Sequence, residues 1–284
     1  MTSVGTLGSL MDERRSAASS RLSPLRHHDT QQAFYRSTAR FRACCAGRRS
    51  GKSDIARREL AEHAMAAHLE LAGVPDPRFV ITCPTRDQVK RIHWEHLKAL
   101  FPRHLVMTTS ESELRVVLLN GCEIRCIGLD VFQRAEGEAI DYALIDEIAD
   151  TKEDAWRLTL RPALGTTGRP PGRAVFIGKP RGRNHWWRIW TAAAETEGWE
   201  QFWWSAEDIL DPAEIASLAR DLDPLSYAQE VRADFVNFQG RAYYAYQETV
   251  QASHRLSYDK TKALDPCFDF NVDPGCAVAT QEQY

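Results

Sequence analysis

Residues 41–71 constrain the fold more than any other stretch of this chain. Phe41 to Cys45 is a short apolar, β-compatible run, followed by Ala46-Gly47-Arg48-Arg49-Ser50-Gly51-Lys52-Ser53. Asp54 to Leu71 is then alanine-rich and built of good helix formers until Gly73-Val74-Pro75 stops it. Strand, glycine-containing loop and helix in that order match a phosphate-binding loop. Gly51 lets the chain turn tightly enough for backbone N–H groups to face phosphate, Lys52 can reach the outer phosphates, and the Ser53 hydroxyl can ligate magnesium. The helix that begins near Ser53 adds its positive end. One position departs from G-x-x-x-x-G-K-[ST], which has glycine where this chain has Ala46. Read alone, the string also fits a basic helix N-terminus after a buried strand, so the rest of the chain has to discriminate.

The alternation continues. Phe79 to Cys83 is a second buried-strand run ending at Pro84, and in Asp87 to Leu100 the residues Val89, Ile92, Leu97 and Leu100 can share one helical face. Tyr142 to Ile145 and Ala174 to Gly178 are further short apolar runs bounded by polar or turn residues. Strands alternating with helices predict an α/β fold with a mainly parallel central sheet flanked by helices. Leu114 to Leu119, Asn120-Gly121 and Glu123 to Ile127 read as a hairpin with a tight two-residue turn in which both central residues take positive φ. One nucleotide-binding core is expected over residues 28–236, preceded by an arm, 1–27, rich in Ser, Arg and small residues.

Composition narrows the partners. A net charge of −3 gives no overall basic footprint, so contact with nucleic acid has to come from local clusters such as Arg181 to Arg188. Seven cysteines without a C-x-x-C pair, with Cys44, Cys45, Cys83 and Cys126 inside apolar runs, suit a reducing compartment. No window approaches the apolar length of a bilayer span, so no membrane partner is expected.

After Ile145 come Asp146 and Glu147, two carboxylates at the C-terminal end of a buried strand, where open α/β sheets place their ligand crevice. Asp146 is placed to hold magnesium, directly or through water, and Glu147 to polarise the water that attacks a γ-phosphate. An acidic helix start is the plain alternative for this pair, and it weakens once Lys52 and Ser53 are considered with it. Trp186, Trp187, Trp190, Trp199, Trp203 and Trp204 interleave with Arg181, Arg183 and Arg188. Base stacking is conceivable for such a set, but buried packing is the better expectation for tryptophan.

The order and content of these motifs resemble the large terminase subunits that package DNA into tailed bacteriophage heads, especially forms with an arginine-rich phosphate-binding loop. The resembling strings are Gln31 through Arg40-Phe41, Ala46 to Ser53, Cys83-Pro84-Thr85, Gly137 followed by Ala143 to Glu147, and Gly178-Lys179-Pro180-Arg181-Gly182-Arg183-Asn184-His185. Ala46 and Lys179 depart from the glycine and small hydroxyl residues commoner in the family. The resemblance implies a P-loop NTPase of the ASCE type that binds ATP and Mg2+. It gives Gln31 the adenine edge, Gly47, Arg48, Arg49, Ser50, Gly51, Lys52 and Ser53 the phosphates, and Ser53 with Asp146 the magnesium. Glu147 would activate water, and Arg48 would stabilise charge at the γ-phosphate, with Arg49 as the neighbouring alternative. Arg134 is the candidate for an arginine offered to the next subunit of a ring. Gly178 to His185 resembles the segment that couples phosphate sensing to movement.

Phe268-Asp269-Phe270-Asn271-Val272-Asp273-Pro274-Gly275 resembles the first strand of the ribonuclease-H-like nuclease that follows the motor in this family, with Asp269 at its first metal-ligand position. The few residues after Gly275 are too short for the remaining carboxylate-bearing strands, so the expectation is a truncated nuclease start over 263–284, joined to the motor by a linker region, 237–262, and inactive by itself. The resemblance further implies double-stranded DNA gripped through its backbone without base readout, a portal protein and a small terminase subunit as partners, a homo-oligomeric ring on the capsid, and a location in the host cell cytoplasm. Two other readings remain open: another P-loop DNA translocase or helicase, and a non-catalytic subunit that binds nucleotide only to set its shape.

Overall fold

The continuous apolar runs become the centre of one eight-stranded sheet, in a computed structural model that describes residues 28–130, 137–165, 168–236, 259–269 and 276–281. The strands are β1 (Phe41–Ala46), β2 (Arg78–Cys83), β3 (Val106–Ser110), β4 (Arg115–Leu118), β5 (Glu123–Gly128), β6 (Tyr142–Asp146), β7 (Arg173–Gly178) and β8 (Trp199–Trp204). Their spatial order is β3-β4-β5-β2-β6-β7-β1-β8. From β5 to β8 every neighbouring pair is parallel, and β3 and β4 add an antiparallel edge. The central strands β1 and β6 are buried at every position, which is why they carry no polar alternation.

Helices cover both faces. Asp29–Arg36 (α1) and Lys52–Glu70 (α2) are joined on the same face by a third helical stretch, in which a π-helical turn, Lys90–Trp94, lies between Arg86–Val89 and Glu95–Leu100. Phe34, Cys44, Ile55, Leu60, Ile81, Trp94, Leu97 and Trp204 form the core there. Phe41, Ala43, Cys45, Ile145, Trp156, Phe176 and Trp186 form the core of the other face. The alternation Ala43, Cys44, Cys45 between the two cores is the period-two geometry of a strand. Beneath α2, fully buried Arg42 donates to Glu59 (2.5 Å), to the Tyr142 hydroxyl (2.9 Å) and to Phe34 O (3.0 Å).

The hairpin forms where the Asn-Gly signal placed it, but its turn differs from the expected one. Gly121 takes φ +85° while Asn120 is not among the residues with positive φ. Gly121 N donates to Leu118 O (3.0 Å) and Leu118 N to Cys122 O (2.9 Å), a three-residue connection rather than a two-residue one. The cause is the Asn120 side chain, whose amide donates to Ala64 O (2.9 Å) and Met65 O (3.1 Å) in α2 while its oxygen accepts from Cys122 N (3.1 Å). The edge strand β3 and the strand β8 are additions that the apolar runs did not announce.

The chain divides into two compact units, 1–237 and 238–284. In the second, Asp265–Asp269 (β9) pairs antiparallel with Cys276–Thr280 (β10), with Asp269 opposite Cys276. Among the described residues no helix is long and apolar enough to cross a membrane.

Candidate active site

The loop after β1 is held from outside by its neighbours. Gly47 N donates to Trp204 O (3.1 Å), and Arg48 N donates to Glu230 O (2.7 Å). Ser50 Oγ donates to Gly47 O (2.6 Å), Trp204 Nε1 donates to Ser50 O (3.1 Å) and Oγ (3.0 Å), and Gln31 Nε2 donates to Ser50 O (2.9 Å). Arg49 (φ +61°) and Gly51 (φ +79°) take the left-handed conformation that bends the loop into α2. Gly51 caps α2 without a side-chain hydrogen bond, so the first N–H groups of the helix have no capping side chain. Lys52 is buried at the first helical position.

This geometry accounts for Ala46. It is the last residue of β1, fully buried and paired with Trp204, so the backbone there is ordinary strand. The tight approach falls one residue later: a Cβ on Gly47 would lie 2.2 Å from Val231 O and 2.7 Å from Ala206 N. Gln31 is fully buried, its amide nitrogen committed to the loop and its Oε1 without a hydrogen-bond partner. That oxygen is the group it has left to accept with.

At the end of β6, Asp146 is fully buried. Its Oδ2 accepts from Ser53 Oγ (2.7 Å) and His93 Nε2 (2.9 Å), and its Oδ1 from Glu147 N (2.7 Å). Burial pushes its acidity down, but the His93 bond, the Lys52 charge and the Ser53 bond outweigh it and hold the carboxyl below its ordinary pKa. Glu147 stands at φ +51°, ψ +43°, a left-handed position for a non-glycine residue. Its carboxyl is raised, first by burial and then by the Asp146 charge, with Lys52 and Lys179 pulling the other way. The paired acids are therefore split: one held ionised, the other made more basic.

Ser53 and Asp146 present facing oxygen donors, the ligand type magnesium takes, so these residues fit that ion. Cys83, His93 and Asp146 also offer atoms within 4.8 Å of one another, a possible softer site. Arg57 speaks against it. Its NH1 lies 3.2 Å from His93 Nδ1, and a guanidinium only donates, so Nδ1 accepts and Nε2 carries the proton directed at Asp146.

Arg48 and Arg49 are exposed, and the Arg48 guanidinium lies 3.7 Å from Glu230 Oε2. Lys179, at the end of β7, also pairs with Glu230, at 2.5 and 2.8 Å. Glu230 thus gathers two cations beside the loop, a role no motif announced. Arg134 lies outside the described residues. Asp269 belongs to the second unit, as the last residue of β9. His93 was not foreseen either; the available signal was a histidine at the spacing Val89, His93, Leu97 on an otherwise apolar helical face.

A mainly parallel sheet with a phosphate-type loop after β1 and paired acids after β6, and with β7 inserted between those two strands, defines a P-loop NTPase of the ASCE type. The family model described as "Terminase large subunit, T4likevirus-type, N-terminal" matches residues 43–258, and the chain belongs to this family. It is 28% identical over 176 residues to the terminase large subunit of Thermus phage G20c, covering 55% of this chain and 34% of that protein. The chain thus spans about a third of the length of the curated relatives it matches. Among solved structures, the large terminase ATPase domain of Thermus phage P74-26 superposes with a TM-score of 0.62 at 23% identity, over 74% of this chain and 94% of that one. A large terminase of a thermophilic bacteriophage in complex with ADP gives a TM-score of 0.62 at 14% identity, over 74% and 54%.

Proposed function

We propose that this chain is the ATP-hydrolysing motor portion of a viral DNA-packaging terminase, which drives double-stranded DNA into the procapsid. The observation that carries the reading is the convergence of Lys52, Ser53, Asp146 and Glu147, with Ser53 Oγ 2.7 Å from Asp146, in a member of the terminase family. Relatives solved with ADP and ATP-γ-S support nucleotide as the ligand. Gly47 to Ser53 surround the phosphates, Lys52 reaches the outer ones, and Gln31 meets the adenine edge. Ser53 and Asp146 hold magnesium, which when bound neutralises phosphate charge. Glu147 takes the proton of the attacking water as it bonds to the γ-phosphorus, the bond to ADP breaks, and inorganic phosphate leaves. Arg48 supplies positive charge at the transferring group, with Arg134 its counterpart toward a neighbouring subunit.

Residues 28–236 form the motor, 237–262 connect it onward, and 263–284 open a nuclease domain in which Asp269 is a metal ligand. The active form is a homo-oligomeric ring on the portal protein, with the small terminase subunit as its other partner and DNA held through phosphates.

Steady-state phosphate release, with and without DNA, tests the reading. Lys52→Ala is expected to lose nucleotide binding; Glu147→Gln is expected to bind ATP but turn over about 100-fold or more slower. Unimpaired turnover in Glu147→Gln rejects its role, and nucleotide binding without any phosphate release by the wild-type chain with DNA and portal rejects the motor in favour of a non-catalytic subunit.

A further inference from the structure

His93 lies outside both nucleotide loops, yet it touches the carboxylate on which the site depends. It is completely buried, on the π-helical turn Lys90–Trp94, a local widening often found at functional sites. Both of its ring nitrogens are engaged. Arg57 NH1 stands 3.2 Å from Nδ1, and Nε2 stands 2.9 Å from Asp146 Oδ2. Arg57 is itself fixed, donating through NH2 to Asp54 (2.9 Å) and through NH1 to Ile92 O (3.3 Å). The path Asp54, Arg57, His93, Asp146, Ser53 therefore starts and ends on α2, the helix that carries Lys52.

Three donors set the plane of the Asp146 carboxylate: Ser53 Oγ, His93 Nε2 and the backbone N of Glu147. Ser53 is the one whose oxygen also has to turn a lone pair toward a cation, so its position is shared between the ion and Asp146. His93 is the side-chain donor with no such second duty, and its tautomer is fixed by a group that only donates. We propose that His93 is a positioning residue for the cation-holding carboxylate: by donating Nε2–H to Asp146 it aims the carboxylate and sets the affinity of the Ser53–Asp146 pair for a divalent cation. The inference rests on the reading of this pair as the magnesium site.

The experiment uses Mn2+ as the probe and follows its binding to the full chain by electron paramagnetic resonance at saturating ADP. Affinity for ADP is measured separately in EDTA. His93→Leu removes the donor, His93→Gln places an amide N–H where Nε2 stood, and His93→Asn places one only at the Nδ1 position. Leu and Asn are expected to weaken Mn2+ binding about 10–100-fold, the range for loss of an outer partner of a metal ligand, while Gln recovers most of it and metal-free ADP affinity stays unchanged. Equal Mn2+ affinity in all variants, or an equal loss of ADP affinity without metal, overturns the proposal. Should Leu and Asn fail to fold, the wild-type chain with 15N-labelled histidine decides. An Nε2-protonated His93 whose resonance moves with Mg2+ and ADP but not with ADP alone supports the role, and an Nδ1-protonated ring overturns it. A wild-type chain that binds ADP but no Mn2+ rejects the reading of the site itself, a result distinct from failure of the histidine alone.

Discussion

Replacing Gly47 by alanine puts a methyl group where the structure has none to spare. The new Cβ would stand 2.2 Å from Val231 O, 2.7 Å from Ala206 N and 3.0 Å from Ala206 Cβ, whereas comfortable carbon contacts begin at about 3.5 Å. The first two atoms form a hydrogen bond with each other (2.8 Å), and the adjoining Arg48 N–Glu230 O bond is 2.7 Å, so the backbone has to move at the expense of at least one of them. Overpacking costs about 1–3 kcal/mol and a broken buried hydrogen bond about 1–3 kcal/mol, giving about 2–6 kcal/mol of destabilisation. Ala46→Gly, which restores the commoner loop pattern, removes only a buried methyl and loosens a strand residue, about 1–2 kcal/mol, with no gain in nucleotide affinity. Urea unfolding followed by tryptophan fluorescence measures both, because all eight tryptophans lie in the larger unit. A Gly47→Ala protein within about 0.5 kcal/mol of wild type, or an Ala46→Gly protein with tighter ADP binding, would refute the reasoning.

Two further outcomes follow from contacts away from the phosphates. Trp204→Phe removes the donor shared by Ser50 O and Oγ; a net bond of about 1–1.5 kcal/mol corresponds to a loss of up to about tenfold in ADP affinity by calorimetry, and unchanged affinity would show that the indole bonds do not set the loop for nucleotide. His63 is held above its ordinary pKa: burial lowers it, but the bonds to Glu59 and Glu70 outweigh that. Its stabilising contribution is therefore complete below the unfolded value of about 6.5 and fades as pH rises through the higher folded value. The unfolding-midpoint gap between wild type and His63→Gln is expected to be larger at pH 5.5 than at pH 8.5, checked by thermal melts at both, and a gap that grows with pH would contradict the assignment.

The central sheet was legible because strands buried on both faces are mostly apolar, and β1, β2, β6 and β7 are, with Arg42 in β1 and Thr82 in β2 the interior exceptions. Edges carry no such obligation. In β3 the middle residues Met107, Thr108 and Thr109 are exposed, so the strand leaves no apolar run. In β8 the sequence Trp-Glu-Gln-Phe-Trp-Trp invited a question about base stacking, when Phe202 and Trp204 are core residues. Asn120-Gly121 announced a turn but not its type, because the asparagine amide is claimed by α2, more than fifty residues earlier in the chain. The site divides in the same way. Residues that share a loop, such as Lys52 and Ser53 or Asp146 and Glu147, declare themselves by spacing. Glu230 and His93 act through partners that only tertiary folding brings near, so no local pattern marks Glu230, and His93 shows only as a polar residue on an apolar helical face.

The buried Arg42 has a consequence for how strictly the sheet is assembled. Its guanidinium makes its hydrogen bonds on the α2 face, to Glu59, Tyr142 and Phe34 O. A one-residue slip of β1 against β7 and β8 would turn it to the opposite face, whose core is apolar, leave it an uncompensated buried charge and strip Glu59 of its guanidinium partner. Slipped pairings that hydrophobic burial alone tolerates are thereby penalised, and Arg42 proofreads the alignment that brings Ser53 opposite Asp146.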